Sequence, residues 1–128
     1  MILPNAANAY VDLRKLRDYS LNIESPKGRH KARVFSAALG ITSESAEQLR
    51  DILLVAVKEN KAEIGELDMF GQRFTVDFLM ATEIGKATVR SGWIILHKED
   101  FPRLTTCYVL KRKRNEENDW ITRYSGIA

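Results

Sequence analysis

A chain of 128 residues that is 45% hydrophobic has enough apolar surface for one core and one domain. Its longest purely apolar run, Ile52 to Val57, is far too short to cross a bilayer, and Met1-Ile2-Leu3-Pro4 lacks the basic start and apolar stretch of a signal peptide. The net charge of +3 conceals a division, since residues 1–40 carry seven Lys/Arg against three Asp/Glu, residues 41–85 four against nine, and residues 86–128 nine against five.

Residues 1–11 read as an extended lead-in. Asp12 then caps a short helix to about Tyr19, with Leu13 and Leu16 on one side and Arg14, Arg17 and Asp18 outside. Ser25-Pro26 marks the start of a longer helix, because Ser accepts from the first free N–H groups and Pro suits the first helical position. That helix runs to Leu39, with Gly40 as its left-handed stop and Val34, Phe35, Ala38 and Leu39 as its apolar stripe. Lys31 sits one turn before Phe35 in this stripe, and His30 one turn before Val34 at its border. A lysine so placed either snorkels to the rim or points at an anion. Arg29 and Arg33 fall on the other side.

Thr42 or Ser43 begins a third helix, whose acidic first turn (Glu44, Glu47) suits the helix dipole. Ala46, Leu49, Leu53, Ala56 and Val57 recur at helical spacing until the pattern fades near Asn60. The second half switches to period two. Gln72–Leu79, Lys86–His97 and Arg103–Leu110 read as strands, with a further short strand near Ala62–Leu67. Turns fall at Asp68–Gly71, Thr82–Gly85 and Lys98–Pro102. Helices followed by consecutive strands predict an α+β fold, with the N-terminal helices packed on one face of an antiparallel sheet of three to five strands. Residues 1–110 form the single domain. Residues 111–128 are a basic C-terminal tail, opened by Lys111-Arg112-Lys113-Arg114, in which Trp120, Ile121 and Tyr124 would dock on the body or on a partner.

Alternation along the strands separates two faces. Arg73, Thr75 and Asp77, Thr88 and Arg90, and Arg103 and Thr105 share one side, while Phe74, Val76, Phe78, Val89 and Trp93 take the other. A face with several threonines and three arginines is too polar for a core and suits a phosphodiester. Cys107 is the only cysteine, which excludes an internal disulfide and fits a reducing, cytoplasmic setting. One cysteine and two histidines give no metal-ligand cluster, and no phosphate-cradling glycine motif is present. No cofactor is expected.

Several strings resemble those of a known family: Gly28-Arg29-His30-Lys31-Ala32-Arg33-Val34-Phe35, Gly71-Gln72-Arg73-Phe74-Thr75-Val76-Asp77-Phe78, Ala87-Thr88-Val89-Arg90-Ser91-Gly92-Trp93-Ile94 and Phe101-Pro102-Arg103-Leu104-Thr105-Thr106. Over roughly Leu3 to Leu110 the chain resembles an uncharacterised bacterial domain family, found as small stand-alone proteins and as C-terminal modules of phage-head and polymorphic-toxin proteins. Its order of elements is distantly similar to the ribonuclease superfamily of barnase, EndoU, colicin nucleases and RelE, which cleaves RNA without metal. That resemblance implies a toxin-like endoribonuclease, a hydrolase acting on RNA by 2′-OH transesterification and restrained by a small acidic antitoxin or immunity protein. It implies a basic or acid–base residue on the leading helix, matched by Lys31 or His30, and others on the sheet, matched by Arg73, Thr75, Thr88, Arg90 and Thr105. Asp77 is the only acid on the face.

The chemistry needs a base for the 2′-OH, an acid for the departing 5′-oxygen and fixed positive charge for the phosphorane. His30 suits either proton transfer, and Lys31 would also serve if drawn into a partly apolar rim. Arg73 and Arg90 offer planar forks for nonbridging oxygens. Thr75, Thr88 and Thr105 supply hydroxyls, and Arg103 and Arg29 further positive charge. Each has a plainer reading. Threonine is common in strands, His30 can be a surface residue, and Arg73, Asp77 and Arg90 can pair across strands on a solvated face. Trp93 and Tyr108 are read as core, and Cys107 as a small buried residue. The alternative function is a non-catalytic module that binds an anion or a partner through the same face.

Overall fold

The computed structural model describes residues 1–110, so the expected tail with Trp120, Ile121 and Tyr124 lies outside the described residues. Asp12 caps the first helix as its residue type predicts. Its carboxylate accepts from the Arg14 amide at 3.0 Å, at the head of α1 (Leu13–Lys15), which continues into a wider π turn over Leu16–Ser20. The next helix, α2 (Arg29–Leu39), starts later than Ser25-Pro26 suggests. Residues 25–28 form a turn instead, in which the buried Ser25 hydroxyl accepts from the Gly28 amide at 3.3 Å. At the far end Gly40 stops α2 with φ 68°, the left-handed conformation a Cβ disfavours. A turn at Ser43–Ser45 then leads into α3 (Ala46–Glu59), which buries Ala46, Leu49, Leu53, Ala56 and Val57.

The strands form one antiparallel meander in the order β1-β2-β3-β4, namely β1 (Ala62–Leu67), β2 (Gly71–Ala81), β3 (Lys86–Leu96) and β4 (Arg103–Val109). The fold is α+β, with the helices on one face of a four-stranded sheet. Phe74, Val76, Phe78 and Met80 of β2, Val89 and Trp93 of β3, and Leu104, Cys107 and Val109 of β4 are buried with Phe35, Leu39, Leu49 and Leu53. One polar link crosses this core. The Trp93 indole N–H donates to the Ser91 hydroxyl at 2.9 Å, and that hydroxyl donates to the Val76 carbonyl at 2.7 Å. The buried indole is thereby satisfied.

The lead-in is structural rather than idle. It buries Leu3, Ala6 and Val11, and its two ends reach both edges of the sheet. The Ala62 amide at the start of β1 donates to the Met1 carbonyl at 2.7 Å, while Tyr10 makes a parallel bridge with Arg103 of β4. α2 lies against β4, which brings its basic first turn to the sheet edge. Among the described residues no helix is long and apolar enough to cross a membrane.

Candidate functional site

The helix-free face of the sheet carries the polar stripe. Strand register sets it out in rows: Arg73 beside Ile94 and Arg103, Thr75 beside Gly92 and Thr106, Asp77 beside Arg90 and Tyr108, and Leu79 beside Thr88. These rows are about 7 Å apart, so Arg90 and Arg73 stand two rows apart on the face. The arginines that alternation placed together are therefore divided into two places.

Each arginine is also held by a carboxylate. Arg73 Nε donates to Asp68 at 2.7 Å, Arg90 donates to both oxygens of Asp77 at 2.9 Å, and Arg103 grips Glu99 through Nε and Nη2 at 2.7 and 2.6 Å. These pairs are partly exposed, so their worth to stability is small. Their effect is orientation. Arg90 and Arg103 are clamped along the Nε–Nη2 edge, which leaves Nη1 of each fork to another acceptor. Asp77 holds Arg90 above the usual guanidinium value against the opposing effect of burial, with a smaller upward effect from Tyr108. Arg103 also lies over the rings of Tyr10 and Phe101, at 5.3 and 4.9 Å, which ties it to the lead-in.

Lys31 is where helix and sheet face meet. It is exposed rather than drawn into the apolar stripe, and its ammonium lies over the Tyr108 ring at 4.6 Å. Tyr108 stands beside Arg90 on the open face, so Lys31, Tyr108, Arg90 and Asp77 form a continuous run from α2 across β4 and β3 to β2. His30 joins them. It lines a groove of about 430 Å³ with Lys31, Arg33, Val34, Tyr108 and Val109. Arg29 is exposed on the same first turn of α2. Among the described residues no group of three His, Cys, Asp or Glu side chains is placed to hold a metal ion.

A bulge explains the misplaced tyrosine. Between Gly92 and Trp93 the β3–β4 register shifts, so that Thr106 faces Gly92 while Leu104 faces Trp93. Thr105 is the extra residue. Its hydroxyl lies close enough to Gly92 that an added Cβ there would meet it at 3.0 Å, with the Thr106 methyl at the same distance. Strict alternation from Arg103 would have put Cys107 outside and Tyr108 inside. Cys107 is instead fully buried, where desolvation pushes its thiol up to about 12, and Tyr108 is on the open side. The run Thr106-Cys107-Tyr108-Val109 alternates polar and apolar in the opposite parity, which is the signal that locates the bulge. Trp93 is core, as its neighbours require.

A second hollow lies on the other side of Lys31, along the outer edge of β4. Lys15, Tyr19, Ser20, Lys27, Gly28, Lys31, Thr105, Thr106 and Cys107 line its roughly 520 Å³. Lys15, Lys27, Tyr19 and Thr106 were not singled out by alternation or helical stripe, because they come together only through packing.

The model of a family described as a domain of unknown function (DUF6883) matches residues 2–111. The chain belongs to that family. The match covers every element of this DUF6883 fold, from the lead-in that joins both sheet edges to the strand that carries Tyr108. No curated protein matches it in sequence.

Proposed function

We propose that this DUF6883 domain is a metal-independent endoribonuclease, acting where the first turn of α2 meets the open face of the sheet. The observation that carries this reading is the Lys31 ammonium over Tyr108, beside the carboxylate-oriented Arg90. A phosphodiester seated there faces two fixed positive charges from opposite sides, which is the preorganised stabilisation that phosphoryl transfer most needs. His30 takes the 2′-OH proton, the 2′-oxygen attacks phosphorus, and the bond to the 5′-oxygen breaks. The Tyr108 phenol gives its proton to that leaving oxygen, and a 2′,3′-cyclic phosphate results. Thr75, Thr88 and Thr106 offer hydroxyls on the same face. The toxin-like setting, with a small acidic antitoxin or immunity protein as partner and the cytoplasm as compartment, belongs to this proposal and is supported by the sequence resemblance.

The test is incubation of the folded protein with RNA in excess EDTA. Cleavage that yields cyclic phosphate ends, and that falls at least a hundredfold in Lys31→Ala and Arg90→Ala, supports the proposal. A second reading draws on a different observation. Carboxylates already hold Arg73, Arg90 and Arg103, as they would in a module that binds anions weakly and turns nothing over. That reading predicts salt-sensitive RNA binding with intact RNA.

A further inference from the structure

The hollow outside β4 is built from three separate pieces of chain. Lys15 and Tyr19 come from α1 and the π turn, Lys27 and Lys31 from the stretch that opens α2, and Thr105 and Thr106 from β4. None of the three lysines makes an ion pair among the described residues. Asp12 lines a neighbouring hollow together with Lys15 and is itself held by Arg14 at 3.2 Å. The lining of this roughly 520 Å³ hollow holds three lysines and no carboxylate. Thr105 and Thr106 complete the lining from β4.

Close packing fixes the walls. A Cβ at Gly28 would lie 2.0 Å from the Tyr19 carbonyl oxygen, so only glycine lets the start of α2 press against the end of the π turn. Contact at that point joins the segment that carries Lys15 and Tyr19 to the one that carries Lys27 and Lys31. Tyr19 is 56% exposed although it lines the hollow, which leaves part of its side chain open to solvent. Lysines with an open aromatic suit a nucleic-acid strand, whose bases stack while its phosphates are neutralised. An acidic peptide would use the lysines and leave the tyrosine idle.

We infer that this hollow is a second phosphate site for the same RNA strand, with Lys31 shared between it and the cleavage site. The inference rests on the ribonuclease reading, and it names the substrate as single-stranded RNA that continues past the scissile phosphate around the edge of β4. A strand gripped at two successive places is bound more tightly than a dinucleotide that reaches only the first.

The test uses fluorescein-labelled 2′-O-methyl RNA of two, four and six nucleotides, which lacks the attacking hydroxyl and reports binding alone. Anisotropy is measured at several salt concentrations with the whole chain. Affinity should rise at least tenfold from two to four nucleotides. Lys15→Ala and Lys27→Ala should each remove about fivefold for the longer probes, leave the dinucleotide unchanged, and flatten the log K against log salt slope by about 0.7. Tyr19→Ser should cost at least fivefold without changing that slope. Lys27 is exposed and Lys15 half-buried, and unchanged circular dichroism and Tm confirm that the variants fold. Equal affinity of wild type and lysine variants for the six-nucleotide probe overturns the inference. So does a glutamate-rich peptide that competes as well as RNA of equal charge. If RNA is never cleaved but the lysine dependence is found, the second site stands and the ribonuclease reading falls. If RNA is cleaved and the lysine variants bind normally, only the second site falls.

Discussion

Ser91 shows how one small hydroxyl can secure a large aromatic. It is fully buried, accepts from the Trp93 indole at 2.9 Å and donates to the Val76 carbonyl at 2.7 Å. Ser91→Ala would leave a buried N–H unpaired, which costs roughly 1–3 kcal/mol, read as a lowered midpoint in urea unfolding. Nothing in its place along the strand announces this, since a serine among Val89, Arg90 and Gly92 is unremarkable until the neighbouring strand supplies a carbonyl. The acids that hold the arginines are testable by pH. Arg73 keeps Asp68 below the usual carboxylate range, and Arg103 does the same for Glu99. A depressed carboxylate pKa stabilises the fold above the ordinary carboxylate range, about 4, and the contribution is lost as pH falls through the folded-state value. Tm should therefore drop more steeply below about pH 4 for wild type than for the double variant Asp68→Asn with Glu99→Gln. The two curves should converge in acid. Parallel curves would show that these pairs do not contribute.

At the scale of elements, α2 carries an electrostatic conflict. Its first turn holds Arg29, His30 and Lys31 with no acid, and Lys27 precedes it. The positive end of a helix dipole disfavours each of these cations. A helix under selection for stability alone would begin as α3 does, with Glu47 in its first turn. Arg29→Glu should therefore raise stability by about 0.3–1 kcal/mol while weakening RNA binding. A variant that gains no stability would remove the reason for reading this turn as functional. The excess of cations here was legible from the sequence, as were the helix stop at Gly40 and the two faces of β2 and β3. β4 was not, because one bulge residue reverses alternation within a seven-residue strand. The start of α2 was displaced because Ser25 caps a turn before the helix rather than the helix itself.

Over the whole molecule, the acidic and basic stretches of the chain supply different elements. The acidic segment, residues 41–85, supplies α3, β1 and β2, whereas the basic ones supply α1, α2, β3 and β4. Because the sheet is a simple meander, β1 and β4 lie at opposite edges, and α2 sits at the β4 edge with Lys31 in its first turn. What the sequence could not convey is which cations converge. Arg73 and Arg90 share a face but not a place, while Lys15, Lys27 and Lys31 meet through packing alone. The central claim is that Lys31, Tyr108 and Arg90 together act on a phosphodiester. A defined RNA oligonucleotide in excess EDTA tests it most directly. Wild type should release fragments ending in 2′,3′-cyclic phosphate, with the rate at least a hundredfold lower in Lys31→Ala and Arg90→Ala and markedly reduced in Tyr108→Phe. Full-length RNA after prolonged incubation with protein of intact fold, or equal rates in wild type and Lys31→Ala, would contradict it.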